Sequence, residues 1–289
     1  MPLKILPDVI NGNSPLICTL QATVTEAALM MQTQGKGAVL VADNNGLAGI
    51  FTERDVSLRV VAAGLDPQTT VLKQVMTANP VTIDTSDTPL QALATMHAGN
   101  FRHLPIMKDE SLVDIISLRD IYMGANTQLV HEIDQLGSDL NLGETVLSRV
   151  VGSQRLVTFG LGTTVLEAAK KMAERDIGSV LIVELDELIG IFTERDVSLR
   201  VVATGLDPQT TTLSQVLTPN PTTIAPNQVC SDILDIMRAG GFRHLPVIDQ
   251  GQAIGVISIR DIYAAVLQDL ENDFGKAMRD RAKTMLLAS

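Results

Sequence analysis

The sequence predicts a mixed α/β (α+β) protein built from four similar units, and three observations support this prediction. The segment at residues 49–70, GIFTERDVSLRVVAAGLDPQTT, returns at residues 190–211 with one change, Ala63 against Thr204. A weaker repeat lies within each half, where FTERD is matched 65 residues later by ISLRD. Short apolar runs alternate with amphipathic stretches in every unit. Such periodic self-similarity is typical of duplicated supersecondary units.

The elements of each unit are expected to follow the order βαββα. A short extended piece precedes an amphipathic helix, two apolar strands separated by a polar turn, and a second helix. The extended pieces are Leu16-Ile17-Cys18, Val81-Thr82-Ile83, Val157-Thr158-Phe159 and Thr222-Thr223-Ile224. Capping boxes predict where three of the first helices begin, at Thr23 with Glu26, Thr88 with Gln91, and Thr164 with Glu167. The fourth helix lacks this pattern, and Asn227 is its expected cap.

In the first unit, Asp43-Asn-Asn-Gly46 predicts a tight hairpin between the two apolar strands. The repeats also set the domain boundaries: unit 1 at 8–66, unit 2 at 73–126, a linker helix at 127–148, unit 3 at 149–207, unit 4 at 214–270 and a C-terminal helical tail at 271–289. A unit of about 60 residues buries too little surface to be stable easily by itself, so the units are expected to pair. Pairing creates clefts.

Composition excludes several classes of function. The chain has 22 Lys+Arg against 33 Asp+Glu, which argues against a nucleic-acid ligand, and aromatic residues make up only 3%, which leaves little for base stacking. Apolar runs are too short to cross a membrane, and no signal peptide is evident, so a cytoplasmic location is expected. Cys18 and Cys230 stand in no metal-binding pattern, so no metal site is predicted.

One motif recurs in all four units, a hydroxyl residue followed three positions later by an aspartate, with an arginine before the aspartate. The pairs are Thr52 and Asp55, Ser117 and Asp120, Thr193 and Asp196, and Ser258 and Asp261, with Arg54, Arg119, Arg195 and Arg260. One interpretation is a helix cap. The other is a ligand site, because a helix start presents free N–H groups to a phosphate while a carboxylate can accept hydrogen bonds from a ribose diol. The sequence leaves both open.

A second polar element interrupts an apolar strand in the even-numbered units. Arg102-His103 precedes Leu104-Pro105, and Arg243-His244 precedes Leu245-Pro246. These side chains indicate either a solvated edge strand or cationic groups that face phosphate oxygens in a cleft. Units 1 and 3 carry Gly37-Ala38 and Gly178-Ser179 at these positions, so only units 2 and 4 would supply the cations.

On these motifs the units resemble CBS domains, the cystathionine-β-synthase repeat, and each tandem pair resembles a Bateman module. The family signature of glycine, hydrophobic residues, Ser/Thr, two residues and Asp is complete in three units, whereas Asp114 replaces the glycine in the second. The resemblance implies βαββα units paired through their sheets and two pairs that form a flattened disk. It also implies clefts for adenosyl ligands.

By the same resemblance, Asp55, Asp120, Asp196 and Asp261 would hold ribose, and the paired hydroxyls would contact phosphate or ribose. Adenine would lie between Ile83 or Ile224 and the Leu-Pro strands, Leu104-Pro105 and Leu245-Pro246. Asp114 adds a negative charge near Ser117 and should weaken the binding of an anionic ligand there.

The function predicted from these features is a non-enzymatic sensor that binds an adenine nucleotide, namely AMP, ADP or ATP, or a related adenosyl molecule. Mg²⁺ is expected only together with ATP. Occupancy would be signalled to a protein partner of unspecified identity, and assembly as a homo-oligomer is compatible with this role. The alternative is a structural scaffold with empty clefts. Catalysis is disfavoured because the sequence offers no pairing of base and nucleophile and no phosphate-cradling glycine loop.

Overall fold

The computed structural model describes residues 14–121, 156–262 and 264–265. The predicted linker helix at 127–148 and the tail at 271–289 lie outside these residues. The strands are β1 (Ile17–Thr19), β2 (Ala38–Asp43), β3 (Gly46–Thr52), β4 (Thr77–Ala78), β5 (Ile83–Asp84), β6 (His103–Lys108), β7 (Ser111–Ser117), β8 (Thr158–Phe159), β9 (Ser179–Glu184), β10 (Glu187–Thr193), β11 (Thr218–Pro219), β12 (His244–Asp249) and β13 (Gln252–Ser258).

The helices are α1 (Val24–Gln34), α2 (Glu53–Asp55), α3 (Leu72–Val75), α4 (Pro89–Ala98), α5 (Val165–Arg175), α6 (Glu194–Asp196), α7 (Leu213–Val216) and α8 (Cys230–Gly240). The short helices α2 and α6 continue into π-helical segments, Val56–Val61 and Val197–Val202. Residues 118–121 and 259–262 begin the corresponding helices of units 2 and 4. The predicted order βαββα is therefore confirmed, although the first strand of unit 4 is reduced to a single bridge between Ile224 and Val247. Among the described residues, no helix is both long and apolar enough to span a bilayer.

Each unit contributes one small sheet. The sheet of unit 1 has the order β1-β2-β3-β4, in which β1 and β2 are parallel and the other pairs are antiparallel. Unit 3 repeats this arrangement as β11-β10-β9-β8, unit 2 forms β5-β6-β7, and unit 4 forms the β12-β13 hairpin. The hairpin predicted at Asp43-Asn-Asn-Gly46 joins β2 and β3, and Gly46 adopts a φ of 107° there.

The three predicted capping boxes are confirmed, because Thr23, Thr88 and Thr164 each accept a hydrogen bond from the backbone N–H three residues later. The expected cap Asn227 is wrong. Helix α8 begins at Cys230 and its N-cap residue is Val229, which gives no side-chain hydrogen bond. Asn227 lies in the preceding turn, where the Gln228 side chain accepts a hydrogen bond from the Ala225 N–H at 2.9 Å.

Helices and sheets make different contacts between units. The sheets of units 1 and 2, which we call module 1, pack through Leu40, Ile50 and Ile115. Strand β10 lies against β13 in module 2, which comprises units 3 and 4. The two modules meet through their helices, which form one apolar core between units 1 and 3 and another between units 2 and 4. The helix starts of α2 and α6 contact each other where the modules meet.

The cap at Thr164 allows a test of this local structure. Replacing Thr164 by alanine is expected to lower the free energy of unfolding by about 1 kcal/mol, because the Glu167 N–H loses its acceptor. The midpoint of urea unfolding measures the loss. Thr164→Ser keeps the hydroxyl and should stay within about 0.5 kcal/mol of wild type. If serine proves as harmful as alanine, the methyl group rather than the cap stabilises this position.

Candidate functional site

Four clefts open around the hydroxyl-aspartate motifs, and each is named here by its aspartate. The Asp55 cleft has a volume of about 460 Å³ and the equivalent Asp196 cleft in module 2 about 530 Å³. The Asp120 cleft measures about 250 Å³, and the Asp261 cleft only about 40 Å³. Each of the two large clefts lies between an odd-numbered and an even-numbered unit of one module.

The four aspartates are held by the hydroxyl residues that precede them. The Thr52 N–H and Oγ1 donate to Asp55 Oδ2 at 2.8 and 2.7 Å. The same two bonds recur with their equivalents, at Thr193 and Asp196, Ser117 and Asp120, and Ser258 and Asp261. The helix-cap interpretation is thus confirmed in all four units. The ribose and phosphate roles of these residues stay predictions.

An arginine one turn later makes the odd-numbered units different. Arg59 Nε lies 3.2 Å from Asp55 Oδ1, and Arg200 Nε lies 3.2 Å from Asp196 Oδ1. Burial raises the pKa of Asp55, while the hydrogen bond from Thr52 and the charge of Arg59 oppose that rise. Burial likewise raises the pKa of Asp196. The odd-numbered clefts therefore present a carboxylate already held by two hydrogen bonds and one ion pair.

The predicted phosphate-facing arginines are paired with carboxylates of the opposite module. Arg102 donates to Glu194 and Arg243 donates to Glu53, and both carboxylates are buried, at 3% exposure. Arg102 lines the Asp55 and Asp261 clefts, and Arg243 lines the Asp55, Asp120 and Asp196 clefts. Both guanidinium groups thus lie at clefts of both modules.

The histidines do not supply the positive charge that the sequence suggested. Burial, together with the charges of Arg243 and Arg102, lowers the pKa of His103 to about 3. Burial also lowers the pKa of His244 well below its usual value, again with nearby arginines adding to the effect. Both side chains are therefore neutral near pH 7, and of these two residue types only the arginines are cations; their contact with phosphate stays a prediction.

The four arginines of the hydroxyl-aspartate motifs have different surroundings. Arg54 donates to Glu194 at 2.6 Å and to Asp176, whereas Arg195 Nε lies 3.7 Å from Glu53 Oε1. Arg119 lines the Asp120 and Asp196 clefts. Arg260 lines the Asp261 cleft and donates to Asn100 Oδ1 at 2.8 Å. Among the described residues, Arg54 and Arg195 form ion pairs across the junction between the modules, and Arg119 and Arg260 do not.

Glu53 and Glu194 are functional candidates that the sequence interpretation missed. A signal for them exists in the repeat, because units 2 and 4 carry Leu118 and Ile259 at the equivalent positions, and both are core residues. A glutamate at a position that is apolar in the other copies indicates a buried charge with a specific partner. Gly37 fits this arrangement, since an added Cβ would lie 3.3 Å from Glu53 and 3.4 Å from His103 Nε2.

The predicted apolar wall of the clefts requires a correction. Ile83, Ile224, Leu104 and Leu245 belong to the core between units 2 and 4, and Pro105 and Pro246 are also buried. None of these six residues lines the four clefts. The side chains of a strand alternate between its two faces, so leucine at the position after His103 points into the core. The Asp55 cleft is lined instead by Val81 and Phe101, and the Asp196 cleft by Thr222 and Phe242.

Asp114 lies where the sequence placed it, in the Asp120 cleft beside Ser117. It is 7% exposed, and its Oδ1 accepts a hydrogen bond from the Ile115 N–H at 2.8 Å. Burial raises the pKa of Asp114, an effect opposed by that hydrogen bond and by the charge of Lys36. Within residues 14–121 and 156–262, no group of three or more His, Cys, Asp or Glu residues is arranged to hold a metal ion.

Comparison with known proteins gives matches over most of the chain. The CBS domain model matches residues 9–61, 72–124, 148–202 and 213–268. CBS domain-containing protein CBSCBSPB2 of Arabidopsis thaliana is 32% identical over 291 residues, which cover 91% of this chain and 54% of the plant protein. Meiotically up-regulated gene 70 protein of Schizosaccharomyces pombe is 29% identical, covering 88% of this chain and 42% of its own length. The chain spans about half the length of these curated relatives.

A solved structure shares the whole architecture. Protein MJ1225 from Methanocaldococcus jannaschii, described as an archaeal homologue of g-AMPK, matches with a TM-score of 0.73 at 16% identity. The match covers 91% of this chain and 100% of that protein. At this identity the similarity shows the fold alone.

Proposed function

Because the chain belongs to the CBS domain family, we propose that it is a non-enzymatic regulatory module that binds an adenine nucleotide or a related adenosyl ligand. The ligand occupies the clefts between paired units, and its presence is signalled to a protein partner. AMP, ADP and ATP are the first candidates, with Mg²⁺ only alongside ATP. The combination of charge and apolar wall in the Asp55 and Asp196 clefts is the observation that carries this proposal.

The two large clefts have the dimensions of small-molecule sites, which typically measure about 300 to 1,000 Å³. Each combines a carboxylate at a helix start, at least three arginines and an aromatic side chain. These groups suit the ribose, the phosphate and the base of a nucleotide. The Asp261 cleft, at about 40 Å³, holds little more than one water molecule and would need to widen before it could admit such a ligand.

The aromatic wall is the proposed contact for adenine. Phe101 lies so close to Gly99 that an added Cβ on the glycine would be 1.9 Å from the ring, and Phe242 lies in the same way over Gly240, at 2.0 Å. A larger residue at either glycine would therefore displace the ring from its position at the cleft. Stacking of a base on an aromatic ring is worth about 1 to 3 kcal/mol, enough to favour a purine over a ribose phosphate alone.

The carboxylate is the proposed contact for ribose, although most of its hydrogen-bond acceptor positions are already occupied. A carboxylate offers about four acceptor positions. In Asp196, Thr193 uses two of these positions on Oδ2, and Arg200 lies 3.2 Å from Oδ1 as an ion pair. One position on Oδ1 therefore remains for a ribose hydroxyl. Thr193 and Thr52, and likewise Ser117 and Ser258 in the smaller clefts, are proposed to contact phosphate or ribose through their hydroxyl groups.

A ligand screen tests the proposal, and an aspartate variant assigns the site. Saturating AMP, ADP or ATP is expected to raise the melting temperature, since a ligand at 100 times its Kd stabilises the native state by about 2.7 kcal/mol. Asp196→Asn should weaken the best ligand at least about tenfold in titration calorimetry, because the amide loses the charge and turns a donor toward Arg200 or the ribose.

Asp261→Asn is the matched control. Asp261 accepts the equivalent pair of bonds, from the Ser258 N–H and Oγ, but it lines the cleft of about 40 Å³. Asp261→Asn should therefore reduce the affinity for the best ligand less than Asp196→Asn does. If no adenosyl ligand shifts the melting temperature, the scaffold alternative replaces the sensor. If both variants lose affinity equally, the aspartate acts through the fold.

A further inference from the structure

Each of the two arginines proposed to bind phosphate, Arg102 and Arg243, already donates to a carboxylate of the opposite module. Glu53 Oε2 accepts from Arg243, and Glu194 Oε2 accepts from Arg102. The partners come from opposite modules, 190 and 92 residues apart in the chain. A guanidinium that already faces a carboxylate has part of its hydrogen-bonding edge occupied, because carboxylate and phosphate oxygens use the same donors.

Of the two carboxylates, Glu53 is the less firmly held. Its Oε1 is buried and accepts no hydrogen bond within the described residues, and Arg195 Nε lies 3.7 Å from that oxygen. Glu194, in contrast, receives Arg54 at 2.6 Å on Oε1 in addition to Arg102 on Oε2. A buried oxygen without a donor is energetically costly. The Glu53 contact is therefore the one most easily exchanged for another.

Arg243 is also the arginine with the widest reach. It lines both large clefts, those of Asp55 and Asp196, as well as the Asp120 cleft. Its side chain is 17% exposed, so a ligand in either large cleft can approach the guanidinium without unfolding the junction between the modules.

We propose that Glu53 is a built-in competitor of the ligand's phosphate for Arg243, and that Glu194, which is held more firmly, acts in the same sense toward Arg102. This inference rests on the proposed function. The two glutamates are then specificity-determining residues: they lower the affinity for phosphate-bearing ligands and leave that for phosphate-free adenosyl ligands unchanged. When a phosphate binds Arg243, the contact between Arg243 and Glu53 is replaced by a contact between Arg243 and the phosphate. Ligand binding thereby weakens the junction between the modules, because the ion pair of Glu53 is lost.

Titration calorimetry of the full chain with AMP and with adenosine tests this inference. In Glu53→Gln, we expect AMP to bind about tenfold more tightly than in wild type, and adenosine to change less than about twofold. Glu174→Gln is the matched control, since it removes one negative charge from an exposed ion pair with Lys171. It should change neither affinity. Glu53→Asp is the second variant, in case Glu53→Gln folds poorly. It keeps the charge on a shorter side chain, so we expect a smaller gain in AMP affinity.

The gain must depend on Arg243. In the double variant Glu53→Gln with Arg243→Met, the tighter AMP binding should disappear. The inference is overturned if AMP and adenosine change equally in Glu53→Gln, if Glu174→Gln gives the same gain, or if the gain survives the loss of Arg243.

Inorganic pyrophosphate separates this inference from the proposed function. If wild type and variants bind no adenosyl ligand, the proposed function fails, but tighter pyrophosphate binding by Glu53→Gln than by wild type and Glu174→Gln still supports competition at Arg243. Equal binding of pyrophosphate by all three proteins, or its absence in all three, overturns the competitor inference.

Discussion

Replacing Arg243 by alanine is expected to lower the free energy of unfolding by about 3 to 5 kcal/mol, the cost of leaving a buried charge without its partner. Glu53 is 3% exposed, and Arg243 is its closest cation. Arg195 Nε, at 3.7 Å, offers only weak compensation. Urea unfolding of the wild type and the variant at pH 7 measures the loss.

Two further variants separate charge from packing. Replacing Arg243 and Glu53 together by methionine removes both charges and keeps most of the volume, so it should cost far less than Arg243→Ala. Arg175→Ala breaks an exposed pair with Glu174 and should cost less than about 1 kcal/mol. If Arg243→Ala proves as mild as Arg175→Ala, the junction between the modules does not depend on this ion pair.

Local patterns allowed much of the fold to be predicted. Capping boxes fixed the starts of three helices, since their hydrogen bonds join residues only three positions apart. The internal repeat predicted four units because copies of one sequence fold in one way. Asn227 failed as a cap because helix α8 begins only after Val229, without a side-chain cap, while the polar residues before it form a turn closed by Gln228.

Local sequence patterns could not predict the contacts between distant parts of the chain. The ion pair of Arg54 with Glu194 joins residues 140 positions apart, and that of Arg243 with Glu53 joins residues 190 apart. The repeat identifies equivalent residues but not which copies meet, so the packing of unit 1 against unit 3 was not foreseen. The arginines were therefore expected to be available to phosphate, and their carboxylate partners were overlooked.

The apolar wall was misplaced for a different reason. The hydrophobicity of Ile83 and Leu104 predicts that both are interior residues. They are buried, but in the core between units 2 and 4 rather than at a cleft. Cleft walls require apolar groups that remain partly exposed, such as Val81 at 53%. Hydrophobicity alone cannot distinguish these two environments, because both are apolar.

The last prediction concerns acid stability and rests on the two histidines at the junction between the modules. In the unfolded chain His103 binds a proton below about pH 6.5, whereas the folded protein keeps its pKa at about 3. Between these values the unfolded state binds more protons, so stability falls as the pH falls. The lowered pKa of His244 acts with the same sign.

Comparison of variants isolates this effect from the buried carboxylates, because the raised pKa values of Asp55 and Asp196 favour the folded state as the pH falls. Between about pH 6.5 and about pH 4.5, His103 should account for a loss of roughly 2 to 3 kcal/mol in wild type that is missing from His103→Gln. Urea unfolding at several pH values gives the two slopes, and His97→Gln, at an exposed position of α4, should follow wild type. Parallel slopes for wild type and His103→Gln would show that this imidazole takes up a proton in the folded protein as readily as in the unfolded chain, and that the arginines around it do not exclude the charge.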